Sequence, residues 1–234
     1  MITIRKSNER GHANHGWLDS HHTFSFANYY DPAHMGFGPL RVINEDRVAP
    51  GRGFGAHQHQ NMEILSYVLN GKLAHKDSMG HTEVLGPNEI QKMSAGIGVT
   101  HSEFNGSDSE PVHFFQIWIE PKSTGTKPSY EQLKFAPEEK LNQFKVLASS
   151  KKVDGAATIN QDATVSVAEM TPGQELKYEL GTGRSAWVHV IRGEVSLNGK
   201  TLITGDAAAV SEEQALKIAA AGDGNSEVLV FEVA

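Results

Sequence analysis

The 234-residue chain contains no cysteine, which excludes a disulfide framework and any thiolate metal ligand. It has no unbroken apolar run long enough to span a membrane, and its first ten residues lack the apolar segment of a secretory signal. It also lacks a basic excess, because 28 Asp and Glu residues outnumber 21 Lys and Arg residues and give a formal charge of −7. Direct, sequence-independent contact with nucleic acid is therefore disfavoured. We expect a monomeric cytoplasmic protein with no membrane partner.

Histidine, in contrast, is plentiful, and two clusters have the spacing of metal ligands. His57 and His59 are separated by a single residue and precede an apolar run that is typical of a strand. On a strand, this spacing points both imidazoles to one face. Downstream, His101 and Glu103 have the same spacing. Ordinary polar residues on half-exposed strands explain either cluster alone, but the two together predict one metal site suited to Fe(II), Mn, Ni, Cu or Zn. The residues alone leave open whether Glu63 or Glu103 supplies the carboxylate.

The region before residue 40 combines histidines with aromatic residues and holds five of the 12 histidines. It has two interpretations. One is a second metal site or a lid over a pocket, and the other is an N-terminal arm whose aromatics cover a sheet edge. The irregular spacing of the histidines favours the structural arm. The alternation in Phe24-Ser-Phe26 predicts a strand.

The rest of the first half is typical of many short strands with turns between them. Asn70-Gly71 predicts a two-residue hairpin turn between an apolar run that ends at Leu69 and a second run that starts at Lys72. Strands at such regular intervals, with few helical patterns, indicate an all-β antiparallel sandwich or barrel.

Residues 141–234 repeat the plan of the first half. The run from Trp187 to Leu197 matches the run that starts at Ile64, and Pro172-Gly173 matches Pro50-Gly51. No His-x-His follows that second turn, and the segment corresponding to His101 is rich in alanine. We therefore predict two tandem domains. Residues 1–125 carry the metal, and residues 126–234 lack its ligands.

Two sequence motifs resemble those of the cupin superfamily. The first is Gly51-x5-His57-x-His59-x3-Glu63, and the second is Gly98-x2-His101-x3-Asn105. The glycine that closes the first motif comes one residue late, and Gly96 replaces the proline of the second. Over nearly its full length the chain resembles the pirin family, and within it the bacterial members with quercetin 2,3-dioxygenase activity. This resemblance is carried by Arg10–Leu18, Thr23–Phe26, Arg41–Asn44, Gly53–Ile64, Asp77–Gly80, Met93–Asn105 and Gln116–Trp118.

The resemblance implies a bicupin, which is two tandem antiparallel jelly-roll domains with one mononuclear metal in the first. Pirins take their carboxylate ligand two residues after the third histidine. The resemblance therefore assigns the metal to His57, His59, His101 and Glu103, with Fe(II) ranked above Mn, Ni, Cu and Zn. Glu63 then becomes a pocket residue that orients an imidazole or accepts a substrate proton.

The resemblance further implies a metal-dependent dioxygenase that opens a flavonol with O2 and releases carbon monoxide. Glu103 or Glu63 would be the general base. The alternative is a regulatory protein that responds to the oxidation state of the metal and acts through protein partners. An apolar cavity beside the metal would favour the enzyme, and a sealed site would favour the regulator. The candidate walls of such a cavity are Phe54, Met62, Met93, Phe115 and Trp118, and ordinary core packing is the favoured interpretation of each.

Overall fold

The computed structural model describes all of residues 1–234, and almost every regular element in it is a short β-strand. Two single-turn 3-10 helices, Ser7–Glu9 and Pro137–Glu139, are the helical segments. No helix has the length and apolar character needed to cross a membrane. The strands are β1 (Ile2–Arg5), β2 (Gly11–Asn14), β3 (Leu18–His22), β4 (Leu40–Val48), β5 (Gly53–His59), β6 (Glu63–Asn70), β7 (Leu73–Asp77), β8 (Thr82–Leu85), β9 (Glu89–Ser94), β10 (Val99–Asn105), β11 (Val112–Ile119), β12 (Ser129–Lys134), β13 (Lys145–Ser149), β14 (Ala157–Thr158), β15 (Ala163–Met170), β16 (Glu175–Glu179), β17 (Ser185–Arg192), β18 (Glu194–Leu197), β19 (Lys200–Ile203), β20 (Ala207–Val210), β21 (Ala215–Ala220) and β22 (Ser226–Val233).

The chain divides into two compact units. The N-terminal unit consists of residues 11–135 and 157–161, and the C-terminal unit consists of residues 1–10, 136–156 and 162–234. This division differs from the predicted boundary at residue 125 in three segments, residues 1–10, 126–135 and 157–161. Strand β12 belongs to the N-terminal unit because it pairs with β9, and β1 belongs to the C-terminal unit because it pairs with β20. Strand pairing, which joins segments distant in sequence, decides this division.

The N-terminal unit is a sandwich of two antiparallel sheets. The large sheet has the strand order β12-β9-β6-β11-β4-β3-β2, and the small sheet has the order β5-β10-β7-β8. Alternate side chains of the large sheet point inward, as the two-residue period of a strand requires. Val68, Leu73 and Phe114 belong to one of the resulting apolar clusters and are almost completely buried. The predicted all-β fold class is confirmed.

The C-terminal unit repeats this arrangement. Its large sheet contains the order β1-β20-β17-β22-β15-β13, and its small sheet has the order β16-β21-β18-β19. Strands β16 and β21 occupy the places that β5 and β10 hold in the N-terminal unit. Their core-facing side chains are Leu176, Tyr178, Leu216 and Ile218, which pack into a large apolar cluster. Apolar packing therefore fills the region where the first copy carries its histidines.

Two local predictions were wrong. Asn70-Gly71 does not form a hairpin, because β6 lies in the large sheet and β7 lies in the small one. The turn carries the chain between the sheets, and glycine is needed there because φ at Gly71 is +81° and a Cβ atom would lie 2.6 Å from the carbonyl oxygen of Pro111. Phe24-Ser-Phe26 is not a strand either. Phe26 and Tyr29 instead exchange two backbone hydrogen bonds of 3.0 and 2.9 Å across a tight turn.

Candidate metal centre and its cavity

The three predicted histidine ligands converge at the pairing of β5 with β10. His57 lies directly opposite His101 in the antiparallel register, and His59 lies opposite Val99. The centroids of the three imidazole rings are 4.4 to 4.9 Å apart. One nitrogen from each ring lies within 4.8 Å of the others. The alternation of the strand and the cross-strand register together bring these three residues to one point.

The protonation of these imidazoles favours metal binding. His57 Nδ1 is 2.8 Å from the carbonyl oxygen of Gly55, which can only accept, so in the neutral tautomer Nδ1 carries the proton and Nε2 has the lone pair. That Nε2 atom lies 3.0 Å from His101 Nε2. Burial, reinforced by the neighbouring imidazoles, lowers the pKa of His101 to about 3 and that of His59 to about 4. Neutral imidazoles of this kind are the form that coordinates metals, so the donor set fits a divalent transition metal.

Glu103 is buried two residues after His101, beyond an irregularity in the register of β10. Its carboxylate accepts hydrogen bonds from Ser66 Oγ at 3.1 Å and from Gln116 Nε2 at 2.5 Å. Burial raises the pKa of Glu103 to about 7, although these two hydrogen bonds act in the opposite direction. Its oxygen, a nitrogen of His101 and a nitrogen of His75 lie within 4.8 Å of one another. Glu103 thus adjoins the three-histidine cluster through His101.

A row of polar side chains on adjacent strands of the large sheet supports Glu103. The members of the row are direct cross-strand neighbours in the order His22, Asn44, Gln116, Ser66 and Gln91. His22 Nδ1 is 3.0 Å from Asn44 Oδ1, and Ser66 Oγ is 3.0 Å from Gln116 Oε1. The register of these strand pairs therefore places Ser66 and Gln116, the two donors to Glu103, side by side.

His75 is a site residue that the sequence analysis missed. It is buried on β7, and its Nε2 atom lies 3.0 Å from Asp77 Oδ2. Tyr130 stacks on the ring of His75 at a centroid distance of 5.0 Å and on His81 at 4.4 Å. Burial lowers the pKa of His75, although Asp77 opposes this effect. The signal was present in the sequence, because His75-x-Asp77 has the same-face spacing that identified the other pairs.

A cavity of ≈ 460 Å³ opens beside the histidine cluster and is lined by both His57 and Glu103. Its volume lies in the range that encloses a drug-sized ligand, about 300–1,000 Å³. Its aromatic walls are Phe26, Tyr29, Phe54 and Trp118, and its polar walls include Ser20, His22, Asn44, Asp46 and Gln116. The Trp118 ring meets the His59 ring edge-on at 4.8 Å and the Phe26 ring at 5.5 Å.

The N-terminal region contributes much of this cavity, which corrects the preference for a purely structural arm. Strands β2 and β3 do extend the edge of the large sheet, as expected. However, His12, His22, Phe26 and Tyr29 all line the cavity, so the region also covers a pocket. The histidine spacing is irregular because the cavity-lining residues of this region come from two strands and a turn rather than from one strand.

Glu63 does not reach the cluster. On β6, Ser66 points inward to Glu103, so Glu63 belongs to the opposite face. Ser94 Oγ donates a hydrogen bond of 2.6 Å to Glu63, and burial raises the pKa of this carboxyl group. The proposed role of Glu63 as an acceptor of a substrate proton has no geometric support.

Among the predicted cavity walls, Phe54 and Trp118 line the cavity. Met62 and Met93 pack in a separate apolar cluster that also includes Trp118. Phe115 is completely buried on β11, one residue away from the inward-facing Phe114 and Gln116, so the strand alternation turns it to the other face of the sheet.

Two tandem jelly-roll units, one of which carries three clustered histidines beside a cavity, define a two-domain cupin with a candidate metal site in its first domain. The family model for pirin matches residues 3–119, and the model described as the quercetinase C-terminal cupin domain matches residues 146–233. The chain belongs to the pirin family, which confirms the resemblance seen in the sequence.

Relatives and solved structures match over almost the full length. The chain is 46% identical to quercetin 2,3-dioxygenase of Escherichia coli K12, covering 100% of this chain and 99% of that protein. It is 42% identical to a putative quercetin 2,3-dioxygenase of Pseudomonas aeruginosa, covering 100% of both. The crystal structure of the bacterial pirin YhhW from Escherichia coli in complex with nickel(II) has a TM-score of 0.94 and 46% identity, covering 100% of this chain and 99% of that chain.

Proposed function

We propose that this protein is a metal-dependent dioxygenase that opens the ring of a flavonol such as quercetin with O2 and releases carbon monoxide. The observation that carries the proposal is the position of the histidine cluster, since His57 and Glu103 line a cavity with aromatic walls. A site sealed from small molecules would have favoured the regulatory alternative. The relatives named quercetin 2,3-dioxygenase support the same substrate class.

In this proposal His57, His59 and His101 hold the metal, and Glu103 is the fourth ligand. Three imidazoles converge there, and Glu103 has a donor oxygen beside His101. Fe(II) is the ion that we propose for this set, although imidazole and carboxylate donors also suit Mn, Ni, Cu and Zn. When bound, the ion would act as a Lewis acid that lowers the pKa of the flavonol 3-hydroxyl group.

Glu103 is also the group that we propose to accept the proton of this hydroxyl. Its carboxylate lies beside His101 and lines the cavity, so it is the carboxylate placed to approach that hydroxyl group. Ser66 and Gln116 each donate a hydrogen bond to one of its two oxygens, which fixes the orientation of the carboxylate. Both donors are anchored in the large sheet, so the carboxylate is held by a rigid element.

The cavity walls would bind the planar ligand and exclude water. Phe26 and Trp118 meet edge to face, and together with Phe54 they offer aromatic surfaces to a flat ring system. His22 and Asn44 belong to the polar part of the cavity lining and can hydrogen-bond to flavonol hydroxyl groups. This combination of a mainly apolar lining with a few fixed polar groups is typical of small-molecule sites.

The test is anaerobic purification, metal analysis and reconstitution with Fe(II), Mn, Ni, Cu or Zn, followed by measurement of quercetin decay and carbon monoxide. We expect metal-dependent turnover with carbon monoxide release. His57→Ala and His101→Ala should lose the metal and the turnover but stay folded, and Glu63→Gln is the matched control that should keep both.

Three outcomes would contradict parts of the proposal. Unchanged metal content in both histidine variants would refute the ligand assignment. A tightly bound metal without turnover of any flavonol would refute the enzymatic function and favour the regulatory protein. Metal loss in Glu63→Gln would show that Glu63, rather than Glu103, supplies the carboxylate ligand.

A further inference from the structure

A second group of metal-binding side chains lies on the antiparallel pair β2–β3 of the N-terminal unit, and the site described above does not use it. The group consists of His12 on β2 and of Asp19 and His21 on β3. His12 is the direct cross-strand neighbour of His21. Asp19 precedes His21 by two residues and therefore shares its face. The register of one strand pair brings all three side chains to the same side of the sheet edge.

The geometry of the three side chains is already close to that of a metal site. His12 Nε2 lies 2.6 Å from Asp19 Oδ1. The rings of His12 and His21 are stacked, with centroids 4.5 Å apart and planes inclined by 21°. One donor atom from each residue lies within 4.8 Å of the other two. Donors bound at about 2.1 Å to one tetrahedral ion lie about 3.4 Å apart, so small side-chain rotations would suffice to admit an ion.

We propose that His12, Asp19 and His21 form a second cation site for a divalent ion of the zinc, nickel or copper type. Two imidazoles and one carboxylate are the ligands that these ions prefer, whereas magnesium and calcium prefer oxygen alone. Three protein ligands leave a coordination position for water, as in open zinc sites. The side chains of His12 and Asp19 are 51% and 37% exposed, so an ion can enter directly from solvent.

The site is distinct from the first one but shares a wall with its cavity. His12 lines the same cavity as His57, whereas Asp19 and His21 do not line it. A bound ion would tie β2 to β3 at this wall and place two positive charges there. The inference does not depend on what the cavity binds, and it can be tested without any substrate.

The experiment counts zinc ions per chain after equilibrium dialysis of protein purified without a polyhistidine tag. We expect two zinc ions in the wild type, one in the double variant His57→Ala/His101→Ala, and none when His21→Gln or His12→Gln is added to that double variant. His34→Gln is the matched control on the same background. It disrupts a half-exposed pair in which His34 Nδ1 lies 2.7 Å from Asp31 Oδ2, and it should keep the zinc ion.

Copper(II) electron paramagnetic resonance on the double variant gives a second measurement. The spectrum should contain nitrogen couplings from imidazole ligands, and His12→Gln and His21→Gln should each lose them while circular dichroism stays unchanged. Failure of the double variant to bind any zinc would overturn the proposal. A zinc ion that persists after both His12 and His21 are replaced would also overturn it, because the ion would then lie elsewhere.

Discussion

Replacing Asp46 by asparagine removes one buried carboxyl group from the cavity wall and tests the burial argument directly. Asp46 is 4% exposed, and Ser20 Oγ donates a hydrogen bond to it. Burial raises its pKa from 3.8 to about 7, and the nearby Glu45 and Asp19 carboxylates add to the effect. The side chain is therefore largely neutral in the folded protein at slightly acidic pH, and it must ionise in the low-dielectric cavity wall as the pH rises.

The sign and size of the stability change follow from this shift. The pKa of Asp46 is higher in the folded protein than in the unfolded chain. Its contribution to the unfolding free energy is therefore fully present below pH 3.8 and is lost as the pH rises through about 7. A shift of about three units, at about 1.4 kcal/mol per unit, corresponds to about 4 kcal/mol of unfolding free energy. Asparagine keeps the acceptor for Ser20 but cannot ionise. Asp46→Asn should therefore be close to the wild type at pH 4 and more stable by up to about 4 kcal/mol at pH 8.

The assay is urea denaturation of the metal-free proteins at pH values between 4 and 8, comparing unfolding free energies at each pH. Asp108→Asn makes the same chemical change on an exposed residue and is the control for the substitution itself. The reasoning would be refuted if Asp46→Asn exceeded the wild type in unfolding free energy by the same amount at pH 5 and pH 8. It would also be refuted if the variant became less stable than the wild type as the pH rose.

Three further predictions concern the cavity, the metal and one turn. Phe26→Ala should raise the KM for quercetin roughly 5- to 30-fold in steady-state assays, because it removes about 1–2 kcal/mol of aromatic contact. Phe104 is exposed, so Phe104→Ala is the control and should leave the KM unchanged. Chelation of the metal should abolish turnover, leave the far-ultraviolet circular dichroism unchanged and lower the thermal midpoint, because a ligand that binds only the folded state stabilises it. Gly96→Ala should cost about 3 kcal/mol or more in chemical denaturation, because a Cβ atom would lie 2.1 Å from the carbonyl oxygen of Thr126 at φ +48°. Gly125→Ala, at φ +71° with no atom within 4 Å, should cost only about 1 kcal/mol, and equal losses would contradict the steric argument.

The predictions that succeeded depended on local periodicity. His57 and His59 share a face on any strand, so their convergence followed from a spacing of two residues. Turn residues at regular intervals predicted the all-β class. The repeat between the two halves predicted a second copy of the unit, and the two copies have a similar strand order. The ordered motifs were also sufficient to predict the family, because they require no knowledge of which strands pair.

The predictions that failed depended on pairing between distant strands. Asn70-Gly71 has the local chemistry of a hairpin, but no local signal states that β6 and β7 enter different sheets. Glu63 belongs to a ligand motif of general cupins, yet the phase of β6 turns it to the opposite face from Ser66. A one-residue difference in phase reverses the face of a side chain, and it cannot be read from residue types alone.

The amino-acid sequence by itself determined the strand periodicity, the types of candidate donor and the presence of the histidine pattern in the first copy alone. Only the tertiary structure decided that Glu103 lies between Ser66, Gln116 and His75, and that the N-terminal region covers the cavity. The physical reason is the range of the interactions. Side-chain alternation is set by neighbouring residues, whereas a cavity and a buried carboxylate arise where segments far apart in the chain meet in one sandwich.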